Sequence, residues 1–296
     1  MIDKLEMFIA LATEEHFGRA AESCGVTQPT LSAAIKQLED QLGVMLVWRG
    51  SRFRGLTPEG QRVLEWARRI TGDARTLREE MRAVKQGLSG NLRIGVIPTA
   101  LAMVAELTTP LSARHAGLHF TVTSRNSDEI LTQLENHRID AGITYLDNEP
   151  LGRVTTVPLY HEHYNLVLRA DHPLAGRASV GWAELAALPL CLLTPDMQNR
   201  RIVNQHMAEA GAQPAPRLES NSVIALVSHL QSGDWATVLP MKTAQLFLGA
   251  DELRAVPITD PKAAHQVGLV APHREPFPPV LDALIAEARR LAEARA

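Results

Sequence analysis

Residues 20–57 constrain this chain more than any other stretch; they read AAESCGVTQPTLSAAIKQLEDQLGVMLVWRGSRFRGLT. A short helix carries Ala20 and Ala21, a tight turn follows at Cys24-Gly25-Val26, and a second helix starts directly after it. Thr27 is placed to cap that helix, and Pro29 sits in its first turn, where a missing N–H costs little. Leu31, Ile35, Leu38 and Leu42 recur at helical steps and mark a buried stripe. The other face shows Gln28, Thr30, Ser32, Ala33, Lys36 and Gln37, which are short or hydrogen-bonding. A helix buried on one side and presenting such residues on the other can lie in a DNA major groove.

The chain has 296 residues and a net charge of −3, so there is room for two or three domains and no global basic field. Positive charge for a polyanion must then be local. It is local here: Arg49, Arg52 and Arg54 fall between Gln41 and Pro58 with no acidic residue among them. Two cysteines, Cys24 and Cys191, stand far apart and form no zinc or disulfide pattern. Residues 1–12 are amphipathic with Asp3 and Glu6, unlike a signal peptide, and no apolar run reaches the roughly 20 residues of a membrane span. These features predict a cytoplasmic protein.

Residues 2–15 predict a first helix with Leu5, Phe8, Ile9 and Ala12 inward. Gly43 ends the second helix of the motif, residues 44–47 read as a wing strand, 49–55 as its turn, and 56–57 as the return. Thr57 and Pro58 then open a long helix to about residue 86. Along it Val63, Leu64, Ala67, Ile70, Ala74, Leu77, Met81, Val84 and Leu88 make one apolar stripe, which needs a partner; the same helix of a second copy fits. Residues 87–90 (GLSG) read as a hinge.

From residue 91 strands and helices alternate. Strands at 92–96, 118–123 and 139–143 enclose helices at 99–113 and 127–137, a βαβαβ order that predicts a parallel sheet. A second unit follows, with strands at 165–169, 190–193, 217–220 and 237–240 and helices near 181–187, 198–210, 222–232 and 242–248. A strand at 266–271 and a helix at 278–295 return to the first unit.

Residues 1–90 resemble the LysR-type transcriptional regulators. The resemblance rests on Phe8, Phe17, Ala20-Ala21, Gln28-Pro29, Leu31-Ser32, Ile35, Leu38-Glu39, Leu42-Gly43, Leu46, Arg49, Leu56-Thr57 and Gly60. Val47-Trp48 stands where the family usually has Phe, and Ala33-Ala34 where a polar residue is common. The rest of the chain resembles the family's ligand-sensing domain, which is similar to periplasmic binding proteins. The resemblance implies an α+β multi-domain chain. Its parts are a winged helix-turn-helix (residues 1–58), a dimerising linker helix (59–88) and a two-lobed α/β effector domain (91–296). Lobe I would hold about 91–161 and 266–296, and lobe II about 164–264, joined by crossing strands near 159–164 and 256–266.

By the same resemblance Gln28, Pro29, Thr30, Ser32 and Lys36 face the groove and adjacent phosphates of double-stranded promoter DNA, and Arg49, Arg52 and Arg54 reach from the wing. It further implies a tetramer built from dimers, with RNA polymerase as a further partner, and no enzyme activity or cofactor. An enzyme or a solute-binding protein of the same two-lobed shape is the rival class. No nucleophile elbow, phosphate loop or paired catalytic carboxylates support the former, and the latter would not carry the head.

Ligands of such sheets sit beyond strand carboxyl ends, where helix N-termini favour anions. Thr99, Asn126, Ser127, Thr194, Asn221 and Ser222 occupy such ends, and Gln198, Asn199 and Arg200 make the segment after Cys191 unusually polar. Arg125, Arg200 and Arg201 are candidate counter-charges, with surface placement the better reading for Arg201, since adjacent residues on a helix face different ways. This set predicts a small carboxylate or other anion between the lobes. His161 and His163 share a strand face without a third ligand nearby, and Cys191 reads as a buried, inert thiol.

Overall fold

A computed structural model describes residues 1–48, 53–248, 252–259, 262–273 and 276–295. The chain divides into two compact units: Met1–Gly87 in one, Leu88–Glu275 with Val280–Ala296 in the other.

The first unit opens with α1 (Ile2–Glu14), α2 (Phe17–Ser23) and α3 (Gln28–Leu42). Their apolar faces meet in one core: Leu5, Phe8 and Leu11 from α1, Ala20 and Ala21 from α2, and Leu31, Ile35 and Leu38 from α3. Leu11 is buried where Ile9 and Ala12 are only partly so, a rotation of the expected inner face. Leu42, at the last turn, is exposed rather than part of the stripe. Sequence rules for helix ends hold closely. Thr27 accepts from Thr30 N–H with proline in the first turn, and Gly43 closes α3 in the left-handed region at φ 72°. His16, missed in the sequence, caps α2 by accepting from Gly18 and Arg19 N–H at Nδ1.

The wing is less regular than expected. Instead of a strand at 44–47, only Val47 and Leu56 bridge. Two side chains pin its base: Glu39 Oε1 accepts from Leu46 N–H at 2.7 Å, and Thr57 Oγ1 donates to Met45 C=O at 2.6 Å. Thr57 also caps α4 (Pro58–Gln86) by accepting from Gly60 N–H. Gly60 is required there, because a Cβ would lie 2.1 Å from the Leu46 carbonyl oxygen. Leu64 and Ala67 of α4 belong to the head core, whereas Trp66, Leu77 and Met81 are more than half exposed. The Val84 side chain lies outside what is described.

The second unit is built on strand β1 (Ser89–Val96), with β2 (Gly117–Ser124) and β3 (Ala141–Tyr145) parallel to it on either side. The expected first helix splits into a 3-10 turn, Pro98–Met103, and α5 (Val104–Arg114). Next comes α6 (Ser127–Glu135). A single 16-residue strand, β4 (Val154–Arg169), runs through both lobes, where the sequence suggested only a crossing and a short strand. After it come β5 (Val180–Gly181), a 3-10 turn (Trp182–Ala187), β6 (Cys191–Leu193), α7 (Gln198–Glu209), β7 (Leu218–Ser220), α8 (Val223–Ser232) and β8 (Thr237–Pro240). The short α9 (Met241–Ala244), β9 (Leu253–Thr259), β10 (Ala264–Pro272) and α10 (Pro279–Glu293) complete the chain.

Strand β4 explains the two-lobed architecture. Its first half pairs antiparallel with β10, which pairs antiparallel with β3, so lobe I is a mixed sheet. Its second half pairs with β8 and β9 to found lobe II, where β6 and β7 pair in parallel. Lobe II has its own core around Val167, Cys191, Leu193, Leu226, Leu230 and Leu239. No described helix is long and apolar enough to cross a membrane.

Candidate nucleic-acid interface and interlobe cleft

On α3 the division between buried and exposed faces is sharp. Gln28, Pro29, Thr30, Ser32 and Lys36 are all exposed. The Thr27 and Thr30 hydroxyls lie 2.8 Å apart, so one donor is held locally while Gln28 and Ser32 remain directed outward. Arg54 is exposed beyond the wing; Arg49 and Arg52 lie outside the described residues. The head thus offers a rigid helix with hydrogen-bonding side chains at its N-terminus, the geometry that reads base edges.

In the second unit, the segment after β6 meets lobe I. A cavity of about 420 Å³ opens there, walled by Arg125, Asn126 and Glu129 of lobe I and by Asp196, Asn221 and Ser222 of lobe II. Leu101, Met197 and Ile224 add apolar surface. Asn126 caps α6 in a reciprocal capping box with Glu129, and its side-chain amide donates to Asp196 at 3.2 Å. Ser222 caps α8. Arg125 has no carboxylate partner among the described residues and donates only to Ser124 C=O. Asp196 is held below the usual carboxylate range, mainly by the neighbouring Thr194 hydroxyl and also by Asn126 and Arg201.

The other polar side chains singled out in the sequence join the lobes or brace them. Ser127 donates to Gln198 at 2.6 Å, and Gln198 donates on to Asp147 C=O, all between buried groups of opposite lobes. Asn199 donates to the Tyr145 hydroxyl at 3.1 Å. Arg200 is buried and consumed within lobe II by Glu219, Leu193 C=O and Asn204. Arg201, instead, reaches across to Glu149 in a two-pronged ion pair. The Thr194 hydroxyl is buried without a well-formed hydrogen bond, and so is that of Thr99, which lies close to Glu162. Thr99 C=O accepts from Thr243 of lobe II at 2.5 Å. Of the expected effector set, Asn126, Asn221 and Ser222 wall the cavity; Thr99, Ser127, Thr194, Gln198, Asn199 and Arg200 are not among its lining residues.

The crossing strands carry a polar cluster that sequence reading overlooked. Glu162 is fully buried and accepts from Tyr145 at 2.5 Å and Tyr160 at 3.2 Å. Burial pushes its carboxyl up to about 7. His206 and His265 face each other with Nε2 atoms 2.9 Å apart. His161 and His163, which had suggested metal spacing, point the other way along β4, and among the described residues no cluster of three His, Cys, Asp or Glu could hold a metal ion. The alternation along β4 that buries Glu162 was the available signal: HEHY places an acid on the same face as Tyr160 and Tyr164. Cys191 is buried in β6, its thiol pushed up to about 11 by desolvation. Cys24 lies in the other unit, also raised by burial.

Comparisons with known proteins match this geometry. The LysR substrate binding domain family matches residues 85–293, and the bacterial regulatory helix-turn-helix protein, lysR family, matches residues 2–61. The DNA-binding transcriptional dual regulator OxyR of Escherichia coli strain K12 is 33% identical over 270 residues, covering 91% of this chain and 88% of that protein. A probable hydrogen peroxide-inducible genes activator of Mycobacterium avium is 30% identical, covering 90% of this chain and 86% of its own length. Among solved structures, a full-length OxyR variant from Pseudomonas aeruginosa superposes with a TM-score of 0.77 at 27% identity, covering 99% of this chain and 96% of the other. A full-length CbnR bound to its target DNA shares the fold, with a TM-score of 0.59 at 22% identity and 99% of each chain covered. These matches are to transcriptional regulators, not enzymes. With an exposed recognition helix, a two-lobed sensing domain and both family signatures along its length, the chain belongs to the LysR family of DNA-binding transcriptional regulators.

Proposed function

We propose that this regulator binds promoter DNA as a cytoplasmic oligomer and is switched by a small, uncharged, hydrogen-bonding molecule in the interlobe cavity, with hydrogen peroxide the first candidate. The observation that carries this reading is the cavity wall, which both lobes supply. A ligand touching both lobes distinguishes open from closed arrangements, as any switching ligand must. Gln28, Thr30, Ser32 and Lys36 meet the groove, Pro29 shapes the helix start, and Arg54 with Arg49 and Arg52 meets phosphate. The exposed Trp66, Ile70, Leu77 and Met81 pair α4 with its copy in a second chain, and two such pairs make the tetramer. RNA polymerase is the further partner that this promoter-bound assembly would meet.

The expected carboxylate gives way for a physical reason. Arg125 shares the cavity with Glu129 and Asp196, so a compact anion would face two carboxylates for one guanidinium. Relatives named as hydrogen peroxide-inducible genes activators, the Mycobacterium avium protein among them, also point to an oxidant. A disulfide switch fits poorly, since a thiolate is the reactive species and Cys191 is buried with its thiol raised. The test is promoter binding by wild type, Cys191→Ser and Asn126→Ala proteins with peroxide and with a panel of small carboxylates. A peroxide response kept in Cys191→Ser and lost in Asn126→Ala supports the cavity. Loss in Cys191→Ser would return the sensing to the thiol, and a response to carboxylates alone would restore the anion.

A further inference from the structure

Glu162 stands where β4 passes from lobe I to lobe II, fully buried, bonded by hydroxyls of lobe I, one of which, that of Tyr145, is bonded in turn by Tyr164 and Asn199 of lobe II. Tyr145 from β3 donates to Oε2, and Tyr160 from β4 itself donates to Oε1. Asn199 of α7, in lobe II, donates to the Tyr145 hydroxyl at 3.1 Å. The lid over the carboxyl is therefore partly the same helix that supplies Gln198 and Arg201 to the interlobe contacts. Withdrawing lobe II removes Asn199 and uncovers Tyr145 and Glu162 to water.

We infer that lobe closure is coupled to proton uptake at Glu162: the closed cleft holds the carboxyl neutral, and opening lets it ionise. A buried carboxylate without a cation loses hydration that two phenolic donors restore only in part. Among the described residues no lysine or arginine bonds to it. Lys242, Glu106 and Arg295 gather around Tyr160 rather than Glu162. The other facing groups do not cancel the effect. Asp147 adds negative charge that further disfavours ionisation, and Tyr145 and Tyr164 are pushed upward and stay neutral. The Thr99 hydroxyl, close by, favours the ionised carboxyl as the two phenols do, but less than burial opposes it. His265, opposite Glu162 in the β10 register, bonds His206 of α7. Desolvation pushes it below the ordinary histidine value, so its contribution has the opposite sign and opposes that of Glu162 only up to the ordinary histidine value, leaving the upper end of the carboxyl window to Glu162 alone.

The direction follows from linkage. The closed form binds more protons than the open one between the ordinary glutamate value and about 7, so raising pH through this window favours opening. One proton changes an opening constant by at most about tenfold per pH unit. Hydrogen exchange of the α7 amides in the full-length protein measures that opening, after correction for intrinsic base catalysis. Opening should rise several-fold from pH 6 to pH 8 in wild type and show no rise in Glu162→Gln. Parallel profiles in the two proteins would overturn the coupling. Should the variant fail to fold, the unmutated protein still decides. An infrared carbonyl band of a protonated, solvent-shielded acid, present at pH 6 and gone by pH 8, supports the coupling, and its absence at pH 6 defeats it.

Discussion

At the start of α3, Gln28, Thr30 and Ser32 are exposed; at the start of α7, Gln198, Asn199 and Arg200 are buried and bonded. Both segments look alike in sequence, as polar runs opening a helix after a turn. In the head none of the described residues covers the helix end, so the polar groups keep their capacity for an outside partner. In lobe II the opposite lobe arrives on top of them, and the same kinds of groups become fasteners. A buried polar group must be satisfied within the protein, so the residues that look most like ligand contacts are spent on internal bonds, Gln198 and Asn199 across the lobes and Arg200 within lobe II. What is left for a ligand is the rim: Asn126, Asn221, Ser222 and the unpaired Arg125.

The comparison can be broken at either end. The largest effect is expected from Gly60→Ala, which drives a Cβ into the Leu46 carbonyl and should destabilise the head by about 3 kcal/mol. Chemical denaturation should show an early head transition with DNA binding lost, while the second unit melts as before; a single unchanged transition would mean the wing base adapts. Next is Gln198→Ala, which strands Ser127 and the Asp147 carbonyl and should cost the second unit roughly 1–3 kcal/mol. Calorimetry would read it as a lower Tm. An unchanged Tm would place Gln198 among ligand contacts instead of fasteners. On the head, Gln28→Ala should leave stability alone and lower discrimination between operator sequences by about 1–2 kcal/mol. Equal losses on all sequences would make Gln28 a phosphate contact. The smallest effect is for Arg54→Ala, where overall affinity should weaken uniformly and the salt slope flatten by roughly 0.9. An unchanged slope would remove Arg54 from the backbone contacts.

Much of the head was legible because its signals are local. Thr27, Pro29, Gly43, Thr57 and Pro58 each act within one turn, and the structure places each in its expected cap or first-turn position. The wing was less legible, since Glu39 and Thr57 pin it by side-chain bonds across 7 and 12 residues beside a short backbone bridge at Val47 and Leu56. In the second unit the βαβαβ order could be read from alternation, but β4 could not be read as one strand. Its residues change neighbours halfway, from β10 to β8 and β9, and no periodicity records a change of partner. The cavity was legible only as a neighbourhood. Asn126 and Ser222 were found through their capping positions; Glu129 and Ile224 follow them on the same helices, but the two helix starts and Asp196 meet only after folding.

By itself the sequence determined the helix-turn-helix, its exposed reading face, the long apolar-striped helix and the two α/β units, because caps, glycines and hydrophobic periods act over a few residues. Tertiary structure alone decided which polar groups remain free. It buried Arg200 against Glu219, turned Gln198 into a tie between lobes, and enclosed Glu162 among tyrosines. Availability to a ligand or a proton depends on solvation, and solvation is set by what the rest of the chain places on top.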